Sequence, residues 1–252
     1  MNKQFSPREI IAIAWAIAKK NAWVIMDFTS VQFITIMITT ILLKIVGSGM
    51  ISLALNILLV LVNSFLSVVI YRVFFNLIDE ERDNSFPDIM PSIVKALNFI
   101  LVQVIVYAVA ILLIASIAGI YFYNAAEIDP ISFMNWKSAA LLLGISLPVL
   151  YASVRMSFVL CFIVDQSSTA TEAISQSWMV TKGHFWLLFV LILAIIGINM
   201  LGAMAFFVGL LFSVPLSSLI IVVAYRQIIN SYYGDDEHLL ENTADGSESI
   251  TE

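Results

Sequence analysis

Residues 172–186 read EAISQSWMVTKGHFW, a polar, tryptophan-bearing run inside a chain that is otherwise almost continuously apolar. Residues 9–23, EIIAIAWAIAKKNAW, carry the same frame: Glu9, Ile11, Trp15, Lys19 and Trp23 stand 163 positions before Glu172, Ile174, Trp178, Lys182 and Trp186. The chain holds five tryptophans, and four of them fall on these matching positions, which marks an internal repeat. Both copies open on the S/T-x-x-E spacing of a capping box, Ser6 with Glu9 and Thr169 with Glu172. Pro7 sits at a first helical position, where its missing N–H costs nothing.

A weaker third copy is FPDIMPSIVKALNF, residues 86–99, where Lys95 precedes Phe99 as Lys19 precedes Trp23 and Lys182 precedes Trp186. It lacks the tryptophan and the capping box. The far ends of the units correspond as well: VVIYRVFFNLIDEE and VVAYRQIINSYYGDDE share Val-Val-x-Tyr-Arg, and YASVRMSFVLCFIVD keeps the arginine with Tyr151 displaced. The units run over about 6–79, 86–165 and 169–233 of one membrane domain, residues 1–233.

With 61% hydrophobic and 12% charged residues and a mean hydropathy of +0.98, the chain reads as an integral membrane protein. Roughly 20 helical residues cross a hydrocarbon core. Six stretches meet that length: 22–46, 50–71, 99–123, 139–164, 185–207 and about 211–229. None alternates with period two, and isolated strands in lipid leave backbone groups unpaired, so the spans are helices. The sequence therefore predicts an all-α membrane fold of six helices paired as three hairpins, each preceded by an amphipathic interfacial helix. Those interfacial helices expose apolar faces (Ile10, Ile13, Ala14 and Ile17; Ala170, Ile174 and Trp178) suited to lying in the cytoplasmic interface.

Lys and Arg stay preferentially on the cytoplasmic side, and ten of the twelve fall in segments that share one face of this topology. Only Lys44 and Lys137 fall on the other, so both termini are expected in the cytoplasm of a cell-membrane protein. Basic residues precede the first span, but it is about 25 residues long with no small-residue cleavage site after it, and it is expected to stay in the mature protein. The formal charge of −6 comes from the tail, where seven of eighteen acids follow Gly234. Residues 234–252, with no Lys or Arg, are expected to be a disordered acidic tail. Cys161 stands alone, which excludes an intrachain disulfide.

Ionisable residues inside spans are costly and so point to function. Arg72, Arg155 and Arg226 recur once per unit, followed by Asp79, Asp165 and Asp235. Two readings stand: a cationic ring for lipid phosphates or an anionic solute, and snorkelling of long side chains to headgroups. Asp27 has no counterpart in the other units and pairs with Arg72 or Arg155, or takes part in ion movement. Asn56, Asn63 and Asn199 are expected to bond between helices, and Gly197, Gly202 and Gly209 to let helices approach closely. The candidate lipid, anion or ion-path residues are thus Asp27, Arg72, Arg155, Asp165, Lys182, Asn199 and Arg226. His184 and His238 have neither metal-ligand nor triad spacing, and no phosphate loop, dinucleotide fingerprint or basic nucleic-acid stripe is present. Catalytic residues, cofactor and metal are accordingly expected to be absent.

The segment RMSFVLCFIVDQSSTATEAISQSWMVTKGHFW, residues 155–186, resembles a largely uncharacterised bacterial family of multi-pass membrane proteins, akin to the membrane domain ahead of glycerophosphoryl diester phosphodiesterases. Arg155, the apolar run to Asp165, Glu172-Ala173-Ile174, Ser177, Thr181, Lys182 and Gly183 carry the resemblance, which is expected to extend over all six spans. The soluble phosphodiesterase domain has no counterpart in these residues. The resemblance implies an inner-membrane protein without its own catalysis, associated with envelope lipids or with a membrane or cytoplasmic protein partner. The competing expectation is a small-solute or ion transporter with a polar path between hairpins through Asp27, Arg155 and Asn199.

Overall fold

A computed structural model describes residues 6–47, 49–79, 90–124, 136–205 and 208–248. Among them the chain is helical: α1 (Pro7–Lys20), α2 (Ala22–Val46), α3 (Met50–Ile78), α4 (Ile93–Asn124), α5 (Trp136–Arg155), α6 (Val159–Asp165), α7 (Ala170–Thr181), α8 (Phe185–Met204) and α9 (Leu210–Glu248). Six helical stretches are long and apolar enough to cross a membrane, among them Met50–Ile78, Phe185–Met204 and Leu210–Tyr232. Their outward faces are Leu, Ile, Val and Phe, the composition that lipid tails solvate and water does not. The protein is an all-helical, multi-pass membrane protein.

The fourth span is broken. Where the sequence predicts one helix over 139–164, α5 stops at Arg155, residues 156–158 turn, and α6 resumes at Val159. Three helices meet in the interior: α3 packs on α6 and on α9, and the Tyr225 ring of α9 lies 5.1 Å from Phe162 of α6 and 5.7 Å from Phe75 of α3. Around this centre α2 packs on α3 and α9, α4 on α3, α6 and α7, α5 on α7 and α8, and α8 on α9.

The two short helices dock through small residues. In α1 the buried stripe is Ile10, Ala14 and Ala18, each with no exposed surface, against α9. Alanines at this spacing let two backbones come close, so the stripe seats protein rather than lipid. The Trp15 ring meets Phe212 edge to face at 5.6 Å, and Phe212 lies 14 residues, about 21 Å, before Arg226 on α9. α1 therefore flanks α9 instead of lying only at the rim, as its sequence predicts. In α7 the buried stripe is Ala170, Ala173, Ser177 and Thr181, and the expected apolar face, Ile174 and Trp178, turns partly outward.

The α7 capping box forms, with the Thr169 N–H donating to Glu172 Oε2 at 3.0 Å, whereas Ser6 makes no side-chain cap. In the second unit α4 begins at Ile93 and runs unbroken to Asn124, so residues 93–99 belong to the span and form no separate surface helix. Phe86, Pro87, Asp88 and Ile89 of that copy, and Arg82, lie outside the described residues. The last helix continues to Glu248, where the sequence predicts disorder from residue 234. A formed span is already a helix nucleus, and each residue added to it gains a backbone bond without a new nucleation cost.

Polar side chains stitch some seams and not others. Asn199 of α8 donates to Ser217 Oγ and accepts from Ser213 Oγ of α9, both at 2.9 Å. Beside it a Cβ on Gly209 would stand 2.6 Å from the Gly202 carbonyl oxygen, so these two glycines allow the close approach the sequence predicts. Gly197 has open space around it, and close packing does not explain that glycine. Asn56 and Asn63 bond back to Ser52 and Leu59 of their own helix, correcting the expectation that they bridge helices. Gln32 to Ser67 and Ser64 to Gln103 do the bridging there.

Candidate functional site: a buried arginine at a helix break

The break after Arg155 releases backbone groups that an intact helix would pair, and inside a membrane each unpaired group is costly. Ser177 of α7 takes up two of them. Its hydroxyl donates to the Arg155 carbonyl oxygen at 2.7 Å and accepts from the Phe158 N–H at 3.3 Å. Ser157 bonds the Val154 carbonyl oxygen at 2.9 Å. α7 is held in place for this by its capping box and by its stripe of small residues on α6.

The same helix, together with Tyr151 of α5, supplies the surroundings of the Arg155 side chain, which is buried with 6% of its surface exposed. Nε and Nη2 donate to the Tyr151 hydroxyl oxygen at 3.0 and 2.8 Å, and Nη1 donates to the Trp178 carbonyl oxygen at 3.1 Å and to Thr181 Oγ1 at 3.4 Å. The guanidinium carbon lies 5.2 Å from the Tyr151 ring centroid and 5.3 Å from that of Trp178, within cation–π range. Every one of these partners is neutral. Among the described residues no carboxylate forms an ion pair with Arg155. Tyr151 and Trp178 are 40% and 42% exposed, so the buried charge lies one ring beneath the outer surface.

Arg226 is built differently. It forms ion pairs with Asp79 of α3 and Asp165 of α6, and its guanidinium carbon lies 4.7 Å from the Phe75 ring centroid. Tyr225 donates to Asp165 Oδ2 at 2.9 Å. Lys95 reaches across from α4 to donate to the Val164 carbonyl oxygen at 2.6 Å. Arg72 of α3 and Asp165 both lie near enough to Lys95 for their charges to act on it, and Arg72 has further contacts of its own. Asp79, Asp165 and Arg226 thus form one charged cluster where three helices meet, and among the described residues Arg155 pairs with none of them.

The remaining candidates do not converge on either place. Asp27 is exposed on the outer side of α2 and, among the described residues, pairs with neither Arg72 nor Arg155. α2 turns Ile25 and Thr29 inward, and Asp27, two residues from each, is rotated about 200° away from both. Asn199 is held within the α8–α9 seam. Lys182 is exposed at the end of α7, directly after Thr181. The side chain of Asp235 lies outside the described residues. Tyr151, Ser177 and Thr181 complete the Arg155 site. The last two stand in the sequence four residues apart, one helical turn, but only the fold reveals that they face a helix break.

The fold and this site define a multi-pass α-helical membrane protein with a buried arginine at a broken span that, among the described residues, has no carboxylate partner. Over residues 128–221 the chain is similar to the membrane domain of glycerophosphoryl diester phosphodiesterase. That stretch takes in α5 to α8 and the first third of α9, and with them Arg155, Asp165, Ser177, Thr181, Lys182 and Asn199. It leaves out Asp27, Arg72 and Arg226, and so covers less than the six spans over which the sequence predicts the resemblance. No curated protein and no solved structure matches the chain.

Proposed function

We propose that the chain is a non-enzymatic protein of the cytoplasmic membrane that gathers lipid headgroups at the cytoplasmic face. The observation that carries this reading is Arg155, a buried cation whose acceptors among the described residues are all neutral. Removing a charge from water costs several kcal/mol unless an opposite charge compensates it, on the order of the effective penalty per ion. An anion from outside supplies that compensation. Arg226, already facing two aspartates, has no such need. The exposed tryptophans Trp23, Trp178 and Trp186 have the amphipathic character of residues that prefer the headgroup region. The bias of basic residues supports a cytoplasmic position for both termini.

The architecture that goes with this function is three hairpins in a repeat around α3, α6 and α9. Its support is the packing of the short helices: α1 sits on α9 and α8, and α7 sits on α6, α5 and α4, each on the pair that precedes it round the bundle. Transport is the weaker reading, because Asp27, Arg155 and Asn199 have separate surroundings.

The test is lipid selectivity. The protein is reconstituted in nanodiscs of phosphatidylcholine with a minor share of phosphatidylglycerol, and spin-labelled forms of each lipid report the motionally restricted fraction. Enrichment of phosphatidylglycerol in that fraction is expected. Equal restricted fractions for the two labelled lipids, that is, no enrichment over the bulk composition, would sink the proposal.

A further inference from the structure

Resting on that reading, the geometry points to a single-lipid site at Tyr151 and Arg155, which takes the phosphodiester oxygens of one anionic glycerophospholipid. Arginine carries five N–H donors. Four are spent on Tyr151, Trp178 and Thr181, which leaves one Nη2–H without an acceptor among the described residues. The Tyr151 hydroxyl accepts two of those bonds, so its own O–H is turned away from the guanidinium, and no acceptor for it is found among the described residues. Two donors and one uncompensated charge therefore stand side by side. A phosphodiester offers two anionic oxygens spaced to meet both donors.

The surroundings suit a lipid more than a free anion. Phe185 lies 5.4 Å from the Tyr151 ring, Trp186 lies 5.7 Å from Phe185, and Phe189 stacks at 6.1 Å from Phe185. This aromatic ladder descends from the site along the first turns of α8, where a glycerol and its acyl chains would lie beneath a bound phosphate. Lys182, the exposed residue directly after Thr181, adds a second positive charge to this end of α7. A zwitterionic headgroup brings its own cation beside the arginine, which offsets part of the attraction between its phosphate and the site. The charge balance thus selects an anionic lipid.

The probe is the selectivity of spin-labelled phosphatidylglycerol over phosphatidylcholine in nanodiscs of stated composition, for wild type and for Tyr151→Phe, Arg155→Lys and Arg155→Gln. Wild type is expected to prefer phosphatidylglycerol about fivefold, the factor that one basic residue near a headgroup supplies. Arg155→Gln brings the ratio to about one, and Arg155→Lys, which keeps the charge and loses the fork, falls between. Tyr151→Phe keeps the ring packing and removes one donor, lowering the ratio about two- to threefold. It decides the matter alone if the arginine variants fail to fold. Lys19→Gln, away from the site, is expected to change the ratio less than twofold. If wild type has the preference and folded Tyr151→Phe and Arg155→Gln keep it in full, the site is wrong while headgroup gathering stands. If wild type has none, both proposals fall. Displacement of the labelled lipid by millimolar inorganic phosphate would overturn the lipid assignment in favour of a water-facing anion site.

Discussion

Ser177 does for the broken fourth span what backbone bonds do in an intact helix. With one hydroxyl it satisfies a carbonyl oxygen and an N–H on either side of the turn. Ser177→Ala strands both in a setting with little water, at a cost of about 1–3 kcal/mol. A matching fall in denaturation midpoint in detergent checks it. Ser167, which ends the turn after α6, has φ 57, the left-handed region where a side chain is strained. Ser167→Gly relieves that strain and is expected to stabilise by about 0.5–1 kcal/mol, read in the same denaturation series. At Glu172 the Thr169 N–H, and then the Thr169 hydroxyl, hold the carboxyl below its usual range. A depressed folded-state pKa means that this support is complete above the ordinary carboxylate value and disappears as pH falls through the lowered one. Amide exchange in the first turn of α7 is therefore expected to quicken, beyond the intrinsic pH effect, on acidification below that range. Glu172→Gln should flatten the response.

Between elements, shape decides more than polarity. Gly202 and Gly209 touch where α8 and α9 meet, and a Cβ on Gly209 would lie 2.6 Å from the Gly202 oxygen and 2.8 Å from its Cα. Backbone cannot swing aside as a side chain can, so Gly209→Ala is expected to cost about 1–3 kcal/mol. Gly197→Ala, in α8 with open space around it, is expected to leave stability within about 0.5 kcal/mol. A denaturation midpoint that moved equally for both would contradict this account. The Asn199–Ser217–Ser213 bonds add to the same seam, though such bonds in membranes contribute about 0.6 kcal/mol on average.

For the molecule as a whole, Arg226 is the tie. It joins α9 to Asp79 at the end of α3 and to Asp165 at the end of α6, three regions far apart in the chain. Arg226→Met leaves two aspartates facing each other without their cation. Adding Asp79→Asn and Asp165→Asn removes that repulsion, so the triple variant is expected to be more stable than Arg226→Met alone. Thermal unfolding of the two in one detergent gives the order, and the reverse order would mean that the cluster does not tie the helices together. Arg155 lies outside this network: its hydrogen-bond partners among the described residues are Tyr151, Trp178 and Thr181.

The apolar runs and their length sufficed to determine six membrane-crossing helices, because lipid leaves the backbone no alternative to pairing within each span. The spacing of Thr169 and Glu172 likewise announced its capping box, a contact between neighbours in the chain. What the tertiary structure decided depends on rotation and on distant partners. Moving two residues along α2 turns Asp27 outward, and moving one along α7 exchanges Ile174 for Ala173 as the buried face. Nothing local in Tyr-Ala-Ser-Val-Arg-Met-Ser-Phe fixes where the fourth span breaks, since the hydroxyl that satisfies the break comes from Ser177 on another helix. The recurrence of three arginines was legible as pattern. The difference between Arg226, ion-paired to two aspartates, and Arg155, with only neutral partners among the described residues, was not, because a charge's role is set by what the fold brings within a few ångströms of it.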